Sequence, residues 1–458
     1  MTSDSRQFQT EHSKKILTGP IAGTVFRLAL PVALGMLVQF LLASTNIFWV
    51  GRISPAAQDA VTTSTVVFWT IYAFVNIVSV GVAALASRFI GAQDTERATF
   101  YVRQGTGMAV VCGVTLSTVG LFSVQSLLDF MDTSPETAML AKPYLQVMFA
   151  TAAILFVAES MSAAFRAAGD TRTPTIYQII VVVTNMVLDP LLIFGVGPLP
   201  ELGVAGAAVS TALAEFMGLF LLAYFLRTKP LGYNLEGRIF SFPKWREMLR
   251  IGKIGLPTAG QQFTFIVVYW FLIRIVHDFG QPAAAAMGIG NRMESFSYLI
   301  CYGFGVSATS MVGQNLGAGQ PDRAEKAAWH SVLLAIGVTF VASVLFIVFP
   351  HFISGIFSPD EVVQRYAADY LVILGLSQTF MAVEIALEGA FGGAGDTIPP
   401  MLVMIPGAVI RIPMAYYLCY DLGWGLNGVW WTLTITTFIK ATVLALWFKR
   451  GGWKLKKV

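Results

Sequence analysis

Apolar residues in this 458-residue chain gather in long runs separated by short polar stretches. Twelve runs stand out, at 22–50, 60–87, 98–125, 138–166, 173–196, 203–226, 249–277, 283–312, 324–350, 361–392, 397–420 and 425–448. Each exceeds the roughly 20 residues a helix needs to cross about 30 Å of hydrocarbon. None alternates apolar and polar residues over ten positions, as a barrel strand would, and Ala, Leu, Met and Gly recur throughout. The pattern predicts an all-α polytopic membrane protein with twelve transmembrane helices.

The runs repeat. AAFRAAGDTRTP at 163–174 returns as GAFGGAGDTIPP at 389–400, which pairs Asp170 with Asp396 at a shift of 226. RFIGAQDTERA at 88–98 returns as QNLGAGQPDRA at 314–324, and Pro31 in LALPVA pairs with Pro257 in KIGLPTA, both at the same shift. GVAGAA at 203–208 resembles GLNGVW at 425–430 at a shift of 222. Matches on one diagonal point to duplication. Each half then holds six spans. Six is even, so both halves enter from the same side and are related by a pseudo-twofold axis along the membrane normal. The expected domains are an N-terminal lobe (1–227), a cytoplasmic linker (228–248) with a short interfacial helix, and a C-terminal lobe (249–458). Two such lobes suit alternating access. A channel would need a filter segment such as TVGYG, and the chain has none.

Composition narrows the class. Apolar residues make up 55% and charged residues 12%, about half the usual soluble share. Mean hydropathy is +0.67. These values exclude a cytosolic enzyme, a nucleic-acid reader and a disulfide scaffold. Cys112, Cys301 and Cys419 lie singly in apolar runs and read as free thiols. The polar opening MTSDSRQFQTEHSKK lacks a cleavable-signal pattern, so span 1 is expected to insert as itself.

Charge placement predicts orientation. With the N-terminus inside, only Arg52, Lys142, Arg274, Arg365 and Arg411 of the 30 Lys and Arg fall outside, and Arg292 and Lys440 lie within spans. The others, from Arg6 to Lys457, fall inside, the positive-inside bias of a chain with both termini cytoplasmic. The expected location is a bacterial inner membrane.

Several stretches match a known family. They are LPVALGMLVQF and NIFWVGRISPAA in span 1, the paired GDT-P loops, NMVLDPLLIFGVG with GVAGAAVST across spans 5 and 6, and VGQNLGAGQPDRA after span 8. In this order, over residues 20–450, the chain resembles the MATE family (multidrug and toxic compound extrusion transporters). The resemblance implies a twelve-helix, two-lobe antiporter that exports organic cations, drugs or metabolites in exchange for Na⁺ or H⁺. No other cofactor is expected. The implied partners are a small amphipathic cation and the lipid bilayer, and the expected state is a monomer.

Ionisable groups at membrane depth are costly and so mark function. The spans contain Glu159, Asp189, Glu215, Arg292, Glu294, Glu384, Glu388, Arg411 and Lys440. Asp189 leads. Asn185 lies four residues earlier, on the same helix face, and Pro190 frees a carbonyl one turn back. A carboxylate, an amide oxygen and a loose carbonyl suit Na⁺, and the same carboxylate can carry a proton. The family resemblance adds a hydroxyl from span 6, matching Thr211, and an acid from span 1. Here the span-1 position is Asn46, which can ligate Na⁺ but cannot take a proton. A metal other than Na⁺ is not expected.

In the second half, Gln261, Gln262 and Tyr269 stand in span 7 where many relatives carry an acid. Glu384 and Glu388 form an i,i+4 pair that disfavours double ionisation and reads as a proton carrier or substrate anchor. Glu159, Gln39, Asn76, Gln178 and Arg292 are cleft candidates, with Arg292 expected to pair with an acid on another span. Glu215, one turn after Thr211, is a weaker candidate, and Lys440 is expected to snorkel. Asp170 and Asp396 read as caps or loop braces. Two alternatives compete. A lipid-linked precursor flippase would want a basic cleft, whereas the span charges are mostly acidic. A sensor on a transporter scaffold would bind without flux. No HExxH or GxSxG is present, so no enzyme is expected.

Overall fold

The computed structural model describes residues 11–197, 200–229, 231–235 and 238–456. The opening ten residues, with Arg6, and Lys457 lie outside them, as does any reading of where the termini sit. Among the described residues every regular element is a helix. Its helices are α1 Glu11–Thr18, α2 Ile21–Val50, α3 Pro55–Gly91, α4 Thr95–Phe130, α5 Pro135–Ala167, α6 Arg172–Phe194 and α7 Val204–Thr228. They continue as α8 Trp245–His277, α9 Gln281–Gly317, α10 Pro321–Val348, α11 Pro350–Phe357, α12 Glu361–Gly375, α13 Gln378–Ala394, α14 Ile398–Val409, α15 Arg411–Tyr416 and α16 Asn427–Lys449. A π-turn, Tyr417–Asp421, continues α15.

Helix starts follow local chemistry. Ser54 accepts from Ala57 N at 3.0 Å, with Pro55 in the first helical position. Asp94 caps α4, and Asp360 caps α12 through Val362 N at 2.7 Å. All three follow the preference for a side-chain acceptor at the helix mouth.

Among the described residues, eleven helices are long and apolar enough to cross a membrane, and α12 with α13, bent by 53°, is a twelfth if the pair counts as one span. The sequence predicts one continuous span at 361–392. The break at 376–377 is instead stabilised by hydroxyls that satisfy its freed carbonyls, as hydrocarbon depth demands. Ser343 Oγ donates to Gly375 O at 2.6 Å, Thr434 Oγ1 to Ile373 O at 2.9 Å, and Ser377 Oγ to Leu374 O at 2.9 Å.

The chain divides into two compact units, and their boundaries differ from the expected lobes. Apart from the N-terminal residues, unit 1 is Leu34–Gly255, and unit 2 is Lys14–Ala33 with Leu256–Val458. Two helices therefore change unit midway. α2 does so between Ala33 and Leu34, just after Pro31. α8 does so between Gly255 and Leu256, just before Pro257.

Within unit 1, the linker is pinned to α4. Lys244 N donates to Gln104 Oε1 at 2.7 Å, and Gln104 Nε2 to Ser241 Oγ at 2.9 Å. The described linker residues from 231 to 244 form no helix, contrary to the expected interfacial one. They are held by side-chain bonds instead. Tyr101 OH donates to Glu247 Oε2 at 3.0 Å and so ties the start of α8 to α4. Within unit 2, Ile16, Val25, Leu28 and Ala29 pack with Cys301, Phe304 and Ala382. Arg323 reaches the carbonyl of Ile16 at 3.1 Å and also that of Gly19, closing the end of α1.

Candidate functional site

In unit 1, α6 and α7 run antiparallel and approach closely because Gly206 has no side chain. A Cβ there would lie 2.6 Å from Leu192 O. This places Ser210 and Thr211 beside Asn185 and Asp189. Both Asn185 and Asp189 are fully buried. Asp189 Oδ1 accepts from Ser210 Oγ. The Asn185 amide lies between Asn46, Asp189 and the two hydroxyls. In one orientation its Nδ2 donates to Asn46 Oδ1 at 3.1 Å and to Asp189 Oδ2 at 3.0 Å, while its oxygen accepts from Thr211 Oγ1 at 2.8 Å. Turned over, its nitrogen donates to Ser210 Oγ at 3.1 Å and Thr211 Oγ1 at 2.8 Å. The amide oxygen then joins Asn46 Oδ1 and Asp189 Oδ2, and three oxygens converge. Oxygen-only ligation with one carboxylate is what a hard monovalent cation selects. The four residues expected to meet, Asn46, Asn185, Asp189 and Thr211, do meet. Ser210 went unread in the sequence, although it precedes Thr211 in AAVST and shares its hydroxyl chemistry.

Other unit 1 candidates have partners outside the Asp189 cluster. Gln178 Nε2 donates to Gln39 Oε1 at 2.7 Å. Glu159 accepts from Arg166 Nη2 at 3.1 Å, two turns along the same helix. Tyr177 OH donates to Glu215, and Asn76 Oδ1 accepts from Ser79 Oγ at 3.3 Å. At the α5–α6 loop, Asp170 accepts from Thr173 N at 3.0 Å and pairs with Lys229 Nζ at 3.1 Å. Burial opposes its charge. The Thr173 hydroxyl and amide together with Lys229 outweigh that and hold the carboxyl below the usual carboxylate range. In unit 2, Asp396 pairs with Lys456 Nζ at 3.0 Å. The brace reading of both loops is matched by these contacts.

A match to the MatE family model covers residues 31–191 and again 257–417. The chain belongs to the MATE family. Both MATE matches keep the 226-residue offset read from the sequence. The chain is 28% identical over 435 residues to a probable multidrug resistance protein NorM of Thermotoga maritima, covering 95% of this chain and 93% of that protein. It is 24% identical to a FAD transporter of Shewanella oneidensis, covering 93% of each. Its fold matches an outward-facing multidrug resistance MATE transporter of the MOP superfamily with a TM-score of 0.90 at 24% identity, over 98% of this chain and 100% of that one. A Pyrococcus furiosus MOP-superfamily transporter described as having a binding pocket of reverse polarity matches equally well, with a TM-score of 0.90. MATE proteins are multi-pass membrane transporters and not enzymes.

The second MATE half departs from several expectations. Lys440 does not snorkel. It is 8% exposed, and its Nζ pairs with Glu384 Oε2 at 2.9 Å. Glu384 and Glu388 are therefore not two equal acids, because one already has a cation. Arg411, on the span that begins at Ile398, is buried at 6% exposure. Arg292, expected to pair with an acid, is exposed and joins none of the ion pairs among the described residues. Gln261 is buried on α8, with neither end of its amide hydrogen-bonded among the described residues, and Gln262 is half-buried beside it.

Proposed function

We propose that this MATE transporter is a cation-coupled antiporter that exports small organic cations, with Na⁺ or H⁺ carried at Asp189. It acts as a monomer in a bacterial inner membrane with both termini cytoplasmic. The observation that carries the reading is the Asp189–Asn185–Asn46 cluster, in which Asp189 and Asn185 are fully buried. An anion at full burial is too costly for a merely structural role unless something compensates it. Asn185 supplies the switch. Without an ion its NH₂ faces Asp189 and Asn46. With an ion it turns its oxygen inward and completes the ligand set. Ion entry from outside thereby releases the Asn185–Asp189 bond and loosens α6 from α2, and cargo leaves outward. The names of the NorM relatives support drug-like cargo.

The test is efflux of a fluorescent organic cation from proteoliposomes under a sodium gradient alone or a pH gradient alone, for wild type and Asp189→Asn. A flavin dinucleotide is tested alongside, because one relative is named a FAD transporter. Ion-driven flux should fall by at least tenfold in the variant. Flux that survives Asp189→Asn moves the coupling role to Glu384 and Glu388. No flux under either gradient shifts the reading to the lipid-linked precursor flippase.

A further inference from the structure

The repeat sets a unit 2 residue against each α6 member of the Asp189 site. At the shared offset of 226, Asn185 corresponds to Arg411 and Asp189 to Ala415. Unit 2 thus has a guanidinium in place of the amide and a methyl in place of the carboxylate. Arg411 Nε donates to Thr436 Oγ1 at 2.9 Å and Nη2 to Thr437 Oγ1 at 3.2 Å. Both hydroxyls lie on the next long helix, α16, as Ser210 and Thr211 lie on α7. A permanent cation therefore sits where unit 1 has a neutral ligand.

A carboxylate remains nearby, on α13, and it too has a cation. Glu384 is 7% exposed and pairs with Lys440 through Oε2. Its Oε1 has no hydrogen-bond partner among the described residues. The lysine reaches it because α14 carries Gly407. A Cβ at Gly407 would lie 2.5 Å from both Cγ and Cδ of Lys440. The lysine stem lies across a helix that has been cleared for it, and Met404 Sδ is 3.8 Å from the ammonium. A buried ion pair adds little stability over an apolar pair of the same shape, so its retention calls for another reason. The other charged groups in electrostatic range are Glu294 on α9, Glu388 one turn along α13 and Arg411 on α15.

We propose that Lys440 and Arg411 are built-in counter-cations that hold, in unit 2, the place an exchangeable ion takes in unit 1. Glu384 then stays paired throughout the cycle, and unit 1 alone carries the coupling ion. A tethered ammonium differs from a bound Na⁺ in that it cannot leave, so unit 2 does not discharge an ion when the transporter turns over. This deepens the proposed function and rests on the reading of Asp189 as the coupling site.

The test counts bound cations on the purified, detergent-solubilised full chain. The probes are radiolabelled sodium alone and, in sodium-free buffer, proton uptake on a downward pH step. Wild type is compared with Lys440→Met, Lys440→Met/Glu384→Gln and Asp189→Asn. Freed of its lysine, Glu384 should bind one more cation per chain in Lys440→Met, and the double variant should lose that gain. Gly407→Ala, which keeps the ammonium but displaces its stem, should show the same gain and serves if Lys440→Met does not fold. A folded Lys440→Met or Gly407→Ala protein that binds as many cations as wild type overturns the proposal. The Asp189→Asn arm reads separately. If that variant binds as many ions as wild type, the Asp189 reading fails, while the Lys440 comparison still stands or falls by itself.

Discussion

Asp170 and Asp396 occupy one position of the repeat, yet the chain holds them differently. Asp170 has a backbone amide, a hydroxyl and Lys229. Asp396 faces Pro399 at the position of Thr173, and proline has no amide to give. It relies on Lys456, whose side chain is 39% exposed, and such pairs contribute little. Asp170→Asn should therefore cost about 1–3 kcal/mol, and Asp396→Asn less, in thermal unfolding of the detergent-solubilised protein. The pH dependence has a definite sign. Asp170 titrates lower when folded than when unfolded, so its contribution is present above about pH 4 and lost as pH falls through the folded value. The gap between wild type and Asp170→Asn should be flat above about pH 5 and close in more acidic buffer. A gap that widens on acidification would contradict this. At this scale helical spacing brought Asn185 and Asp189 together in the sequence, but it did not show the partners of the other charged residues. Asn185 and Asp189 were legible because four residues make one helical turn. The Lys440–Glu384 pair joins residues 56 apart, and nothing in local spacing announces it.

Between elements, glycine sets the spacing that the site needs. Gly206 lets α7 approach the backbone of α6 near Leu192, one turn before Ser210 meets Asp189. Gly206→Ala would drive a methyl into backbone atoms that cannot move separately, and overpacking of this kind costs about 1–3 kcal/mol. The expected outcome is a lower unfolding temperature together with a several-fold loss of ion-driven flux, since Ser210 is carried away from Asp189. Unchanged stability would mean that the helix spacing is set elsewhere. The spans themselves were readable from hydrophobic run length. The break in the tenth was not, because it depends on Ser343 and Thr434 from other helices. Their hydroxyls look like ordinary i,i−4 helix residues in sequence.

At the scale of the whole chain, duplication was legible and the boundary between units was not. The repeat suggests a cut at the linker, whereas packing assigns Lys14–Ala33 to unit 2 and carries unit 1 on to Gly255. Sequence similarity reports common descent, and packing reports which surfaces are buried. A chain divided after Lys229 therefore leaves both fragments incomplete. Each fragment expressed alone should be protease-sensitive, and co-expression should restore resistance and ion-driven flux. Resistance of either fragment alone would show that its own helices suffice. The exchange also bears on how the protein is made. Val25 and Leu28 leave the ribosome some 270 residues ahead of Cys301 and Phe304, their partners in unit 2. At about 5–20 residues per second that delay is roughly 15–55 s. For that interval the N-terminal half of α2 lacks its final neighbours, and its packing waits on the synthesis of α9 and then of α13, which carries Ala382.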